Sequence, residues 1–197
     1  FKKVVLGLSG GIGSETMCNA FFDQGISFSV FTIADSGGAN RKEVTRASKW
    51  CEERGIYHNT FPLAYESFFT EGYRAFVEQG YHTNVVSRYF QLHLLETASS
   101  LDGSAVLGGG DMLYRFRAAA NDPHAQLVFD ASYLAPLEFV RRTNQHHIPL
   151  FFASTPETVA SYLSIPLIQG ATDDALLFQS SRSVYLLRRL VYLHTFK

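Results

Sequence analysis

The sequence predicts an α/β protein built in three layers, with a mostly parallel sheet flanked by helices. Three observations carry this. Apolar, β-branched runs alternate with helix-periodic stretches over residues 3–61, with short connections, and that alternation builds parallel β-α-β units. The first run, Val4-Val5-Leu6, opens into a glycine-rich loop that leads straight into a helical segment. The chain has 197 residues, 46% of them hydrophobic, enough for one globular core.

The elements follow in order. A strand is expected over 3–8, a loop over 9–13 and a helix over 14–24. A second strand covers 27–34 and ends in the turn Asp35-Ser36-Gly37-Gly38-Ala39-Asn40. Helix 41–54 sets Val44, Ala47, Trp50 and Cys51 at helical spacing with charges opposite, and Gly55 closes it as a C-cap. A short strand over 56–61 ends before Pro62. Helices are expected over 65–78 and 84–100, then a strand over 104–108 running into Gly109-Gly110-Asp111. Residues 112–126 read as irregular and polar, 127–129 as a short apolar piece, and 133–144 as a helix. After Ile148–Ala153, Thr155 is placed to cap a helix over 156–163 with Pro156 in its first position, ahead of Ile165-Pro166. Segment 182–195, with Arg188 and Arg189, reads as an amphipathic last helix. No repeat, low-complexity stretch or linker divides the chain, so one domain over 1–197 with a helical C-terminal part is expected.

Bulk properties narrow the function classes. The net charge of −1 and a sequence pI of about 6.7 give no excess that points to nucleic acid or a membrane surface. There is no apolar run of membrane-spanning length and no evident cleavable leader, so no membrane partner is expected. Cys18 and Cys51 fall in expected helices without ligand spacing, which points to a reduced, cytoplasmic setting. The seven histidines form no H-x-x-x-H pair, and adjacent His146 and His147 would diverge on a helix, so no zinc site is expected. The 17 Phe and 10 Tyr read as an aromatic-rich core.

The chemistry lies in Ser9-Gly10-Gly11-Ile12-Gly13-Ser14. Glycines let backbone N–H groups crowd an anion, a helix N-terminus adds partial positive charge, and two hydroxyls add donors. Three patterns fit. Gly7-x-x-x-Gly11-Ile12-Gly13 with Asp35 matches a dinucleotide loop of NAD(P)-dependent short-chain dehydrogenases, yet none of the ten tyrosines has the Lys those enzymes need four residues later. Gly7-Leu8-Ser9-Gly10-Gly11 matches a nucleophile elbow with Ser9 as nucleophile, but only one strand precedes it.

The third pattern extends furthest. Leu8-Ser9-Gly10-Gly11-Ile12-Gly13-Ser14 resembles the S-G-G-x-D-S loop of the PP-loop ATP pyrophosphatase superfamily, which includes asparagine synthetase, 7-cyano-7-deazaguanine synthase and phosphoadenosine phosphosulfate reductase. Ala47–His58, Asn84–Arg88, Ala105–Asp111 and Ile148–Pro166 resemble later segments of that family in the same order. The resemblance implies an adenine nucleotide alpha-hydrolase-like fold. It also implies ATP as cofactor, with Ser9, Gly10, Gly11, Gly13 and Ser14 at the phosphates and Thr32, Ile33 and Ala34 at the adenine edge. Asp35 would meet the ribose or make the turn; Gly108 and Gly109 would let backbone approach the nucleotide from the other side. An active member is an AMP- and pyrophosphate-forming ligase or transferase that adenylates a small-molecule or nucleobase acceptor. One departure matters: the family's Asp is Gly13 here, which removes a carboxylate from the Mg²⁺ environment. Asp111 is the acid placed to fill that metal and catalytic role, and Arg88 is the candidate for an anionic group, with Arg115 and Arg117 behind it. The alternative is a nucleotide-binding or structural subunit that keeps the fold without the chemistry, as a homo-oligomer or beside a partner subunit.

Overall fold

The apolar runs are strands of one sheet. In the computed structural model, residues 3–101, 103–108, 114–115, 126–127, 134–155 and 157–158 are described. Strands β1 (Lys3–Gly7), β2 (Phe28–Asp35), β3 (His58–Leu63) and β4 (Gly103–Leu107) lie in the order β3-β2-β1-β4, and every neighbouring pair is parallel. Ile148 extends the sheet beyond β4: its N–H donates to Ala105 O at 2.7 Å and its carbonyl accepts Leu107 N–H at 2.9 Å. Buried His147 secures this edge by accepting the Ala105 N–H at Nδ1, 2.9 Å away.

Strand side chains alternate between the two faces. Leu6, Val30 and Val106 face helices α1 (Ile12–Asp23) and α2 (Arg41–Glu52), meeting Met17, Cys18, Ala47 and Trp50. Val5, Phe31, Ala105 and Leu107 share the other cluster with Tyr89, Leu92 and Leu95 of α5 (Val86–Ser99) and Phe139 of α6 (Leu134–Thr143). The result is the expected three-layer α/β arrangement. Each such large side chain taken fully out of water contributes about 1.5–3 kcal/mol before entropy is charged.

Three boundaries differ from the sequence reading. Helix α1 starts at Ile12, so Gly13 lies inside its first turn rather than in the loop. Strand β3 does not stop before Pro62 but runs through it to Leu63, with Pro62 opposite Ala34. The carbonyls of Tyr57 and Leu63 accept from the N–H groups of Val30 in β2 and of Ser36 just after it, so the intervening register turns the Pro62 nitrogen away from β2, toward the side where no donor is required. The helix expected over 65–78 is broken into α3 (Tyr65–Ser67), a widened turn over Phe68–Gly72, and α4 (Arg74–Glu78). The widened turn is closed by Tyr73 N–H on Phe68 O at 3.0 Å, a spacing of five residues.

The chain divides into two compact units, Phe1–Gly109 with Ala131–Phe151, and Gly110–Asp130 with Phe152–Lys197. The first holds the sheet. In the second, β5 (Tyr114–Arg115) pairs antiparallel with β6 (Gln126–Leu127); all but Leu127, which opens the short apolar piece, lie in the stretch expected to be irregular. Thr155 caps as expected, its hydroxyl accepting Thr158 N–H at 3.2 Å. Gly109, Asp111, Arg117, the body of helix 156–163 and segment 182–195 lie outside the described residues, as does the Arg115 side chain. No helix among the described residues is long and apolar enough to cross a membrane.

Candidate functional site

The glycine loop is held by its own residues and by α2. Gly10 has φ +74°, and a Cβ there would sit 2.4 Å from Glu43 O, so both its conformation and its contact demand glycine. Gly11 has φ −89° and ψ 157°, ordinary extended backbone, and a Cβ there would meet only Ser9 Oγ, at 3.3 Å. The Ser14 hydroxyl donates to Gly11 O at 3.0 Å and accepts Ser9 N–H at 3.1 Å. Its single hydrogen is thereby committed, so in the 3.0 Å contact between the two hydroxyls Ser9 is the donor. The serines are the staples that shape the loop.

The amides are the free donors. Helix α1 starts from Gly11 with no side-chain cap, and its first backbone bond is Glu15 N–H to Gly11 O at 3.1 Å. Among the described residues nothing accepts from the N–H groups of Ile12, Gly13 or Ser14. Leu8 O is already taken by the Thr32 hydroxyl at 2.6 Å. Three unpaired amides at a helix start, where the dipole is positive, suit an anion. Gly108, at the end of β4, comes close from the other side. A Cβ on it would lie 2.7 Å from Ser14 Cα, so its glycine is required by contact with the first turn of α1.

Behind the loop runs a hydrogen-bonded chain. Thr32 is buried and donates to Leu8 O, so its contact with His58 Nε2 at 2.8 Å has the imidazole as donor. That fixes a neutral Nε2–H tautomer, and burial pushes the His58 pKa down in agreement.

A cavity of about 270 Å³ opens at the carboxyl ends of the strands, where open parallel sheets place ligands. Gly7, Leu8, Ser9 and Ser14 form its polar end. Phe31 and Ile33 of β2, Leu107 of β4, Tyr65, and Phe90 and Leu94 of α5 form an apolar slot, with Thr32, Asn40 and Gln91 as polar groups. Tyr65 and Phe90 meet edge to face, with ring centroids 5.4 Å apart.

The turn after β2 is a separate, open dish of about 560 Å³ that includes Ala34, Asp35 and Arg41. Both Asp35 oxygens are engaged there, one by Ala39 N–H at 2.8 Å and the other by Tyr65 N–H at 2.9 Å. These backbone bonds hold its carboxyl below the usual range. Asn40 completes the turn, accepting Asp35 N–H and donating to Ile33 O and to the Tyr65 hydroxyl, each at 2.8 Å. Burial, then the nearby charge of Asp35, raises the Tyr65 pKa, so its phenol stays protonated.

Five of the sequence candidates therefore line one cavity: Ser9, Ser14, Thr32, Ile33 and Gly108. Gly10, Gly11 and Gly13 shape the loop beside it, Ala34 and Asp35 belong to the dish, and Gly109 and Asp111 lie outside the described residues. Asp35 serves the turn, the second of the two roles read for it. Arg88 lines neither cavity; its guanidinium donates to Gln91 Oε1 at 3.3 Å, one residue back from the wall. The sequence reading missed Phe31, Asn40, Tyr65, Phe90, Gln91, Leu94 and Leu107 as wall residues. Positions 90, 91 and 94 share a helix face, a spacing indistinguishable from core packing without the sheet to orient it.

The elbow pattern is not supported by the geometry. A nucleophile elbow holds its serine on strained backbone, whereas the one non-glycine residue with positive φ among those described is Asn144. ATP fits the cavity and the amide cradle in kind. A hard cation fits less well among the described residues, because none of those lining the cavity is a carboxylate and no cluster of three metal-ligating side chains exists among them.

No protein-family model matches the chain, and no curated protein does. Solved structures do. The chain is similar to a predicted subunit of tRNA methyltransferase from Methanocaldococcus jannaschii, at 16% identity and TM-score 0.50, over 84% of this chain and 75% of that one. It is more distantly similar to NH3-dependent NAD synthetase from Campylobacter jejuni, at 16% identity and TM-score 0.40, over 98% and 86% of the two chains. For the U34-tRNA thiolase NcsA from Methanococcus maripaludis the values are 16%, 0.36, 99% and 72%. These neighbours are members of the PP-loop superfamily, and the likeness to them is one of fold.

Proposed function

We propose that this protein binds an adenine nucleotide, with the phosphates on the amides of Ile12, Gly13 and Ser14 and the base in the slot of Phe31, Ile33, Phe90, Leu94 and Leu107. The observation that carries the reading is the junction of an uncapped helix start and an apolar cavity at one sheet edge. An anion alone needs no such slot, and an apolar ligand alone needs no such amides. The PP-loop neighbours support the choice of ATP among nucleotides.

Turnover makes a further demand on the site. An adenylating reaction splits the α–β phosphate bond, leaving AMP on the acceptor and releasing pyrophosphate; it needs charge neutralisation where Gly13 supplies none. We assign any metal-assisted step to Asp111, which follows three glycines after β4, and any contact with an anionic acceptor to Arg88. The expected behaviour is nucleotide binding with weak or absent pyrophosphate release.

The test is a calorimetric panel of ATP, AMP, adenosine, GTP, NADP⁺ and pyrophosphate, run on the wild type and on Gln91→Trp, which fills the slot from its wall. The proposal expects saturable binding of adenine compounds that the filled variant loses while its circular dichroism and melting stay unchanged. NADP⁺ binding in preference to ATP would move the reading to the dehydrogenase class. Strong pyrophosphate release in Mg²⁺, abolished in Asp111→Asn, would restore the catalytic reading in full.

A further inference from the structure

The loop carries Gly13 where the pattern it resembles has a carboxylate, and a cationic side chain from α2 is bonded to it. Arg46 leaves the exposed side of α2 and donates through Nη1 to Gly10 O at 3.0 Å. That carbonyl belongs to the residue whose Cα packs directly on the Glu43 backbone, one helical turn before Arg46. A guanidinium carries five N–H donors, and this bond uses one. Among the described residues no carboxylate lies within 4.0 Å of it. Arg46 is thus tethered to the phosphate loop by one arm, with the rest of a planar, permanently charged fork uncommitted. Tethering removes much of the rotamer entropy that an exposed Arg loses on binding. Two acids lie close in sequence to this region, Glu15 in the first turn of α1 and Glu43 on α2, so the local field without Arg46 would oppose an anion.

Resting on the reading above, we propose that Arg46 supplies the charge that a loop carboxylate and its metal would otherwise bring, so that this protein holds the phosphates of an adenine nucleotide without a divalent cation. The uncommitted N–H groups take non-bridging phosphate oxygens, and the amides of Ile12, Gly13 and Ser14 take the others. Gly13 is then a compatible replacement: an Asp there would add negative charge beside phosphates that no bound cation screens.

The test compares ATP with adenosine by calorimetry, in Mg²⁺ and in EDTA, for the wild type, Arg46→Gln and Arg46→Lys. The proposal expects wild-type ATP affinity to change less than about twofold between Mg²⁺ and EDTA. Losing a charged hydrogen-bond partner should cost Arg46→Gln roughly ten- to hundredfold in ATP affinity, with adenosine affinity unchanged. Arg46→Lys should recover part of the loss, since it restores the charge but not the fork. ATP binding that disappears in EDTA overturns the proposal and points to a metal held elsewhere. Equal weakening of ATP and adenosine in Arg46→Gln also overturns it, showing that Arg46 only braces the loop. If neither compound binds the wild type, the nucleotide reading itself has failed, and that outcome is distinct from the other two.

Discussion

Replacing Gly10 by Ala tests the loop architecture most sharply. The backbone there has φ +74°, which costs an L-residue about 1–2 kcal/mol. The new Cβ would stand 2.4 Å from Glu43 O and 2.9 Å from Glu43 Cα, backbone atoms that move only if α2 or the loop shifts. Overpacking of this kind adds about 1–3 kcal/mol. The sum is a loss of roughly 2–5 kcal/mol, or a fall in Tm of roughly 5–15 °C for a chain of this length. Two controls separate the terms. Gly38 has φ +83° with open space around its Cβ position, so Gly38→Ala should show the conformational cost alone, about 1–2 kcal/mol. Gly11→Ala has neither problem and should stay within about 0.5 kcal/mol, or gain slightly through the unfolded state. Urea unfolding with a common m-value measures all three. A Gly10→Ala loss no larger than that of Gly38→Ala would refute the close contact between loop and α2, and an equal loss in Gly11→Ala would refute the assignment of strain within the loop.

Four further outcomes follow from the same contacts. Thr32→Val keeps the shape but leaves His58 Nε2–H and Leu8 O without their partner; chemical unfolding should show a loss of about 1–3 kcal/mol, whereas a neutral result would contradict the bonded chain. The His58 pKa is lowered by burial, so its contribution is full above about pH 6.5, the unfolded value, and declines as pH falls toward the folded one; His58→Gln should flatten the stability profile in that window. Asp35 has a lowered carboxyl pKa, so its contribution is present above about pH 4 and lost in more acid solution; Asp35→Asn should show less acid dependence than the wild type. Burial raises both thiols, Cys51 to about 11 and Cys18 further still, so neither should react with a thiol reagent at pH 8 until denaturant is added; fast labelling of the native protein would place one of them at the surface.

Much of the architecture was legible because period and punctuation agreed. Val4-Val5-Leu6 and Phe28–Ala34 lie in strands as their apolar runs predict, and Gly55, with φ +64°, makes the left-handed turn just beyond α2, whose cap is Glu53, two residues earlier than expected. The misread elements are those where tertiary contacts overrode local rules. Pro62 is tolerated because β3 turns its nitrogen away from β2, a fact of sheet order. The break at Phe68–Gly72 lies where Phe68 and Phe76 both enter one core cluster, which helical spacing alone did not foresee. At the site, Ser9, Ser14 and Gly108 were visible as a motif, but the motif suggested hydroxyl donors, and the geometry makes them internal staples. The slot walls were not visible, because Tyr65, Phe90 and Leu94 come from segments that meet only after the sheet forms. Arg46 was invisible for the same reason: the loop it holds is 36 residues away.

The central claim is that one cavity holds the nucleotide, with its phosphates on the start of α1. Amide hydrogen exchange with and without saturating ATP tests this directly. The account predicts slowed exchange at residues 9–14, 31–33, 90–94 and 107–108, the loop and the lining of the 270 Å³ cavity, with residues 36–39 and 41–45 unaffected and Asn40, which lines both the cavity and the dish, left out of the comparison. Protection confined to residues 36–45, the open dish after β2, or no protection at saturating ATP, would contradict it.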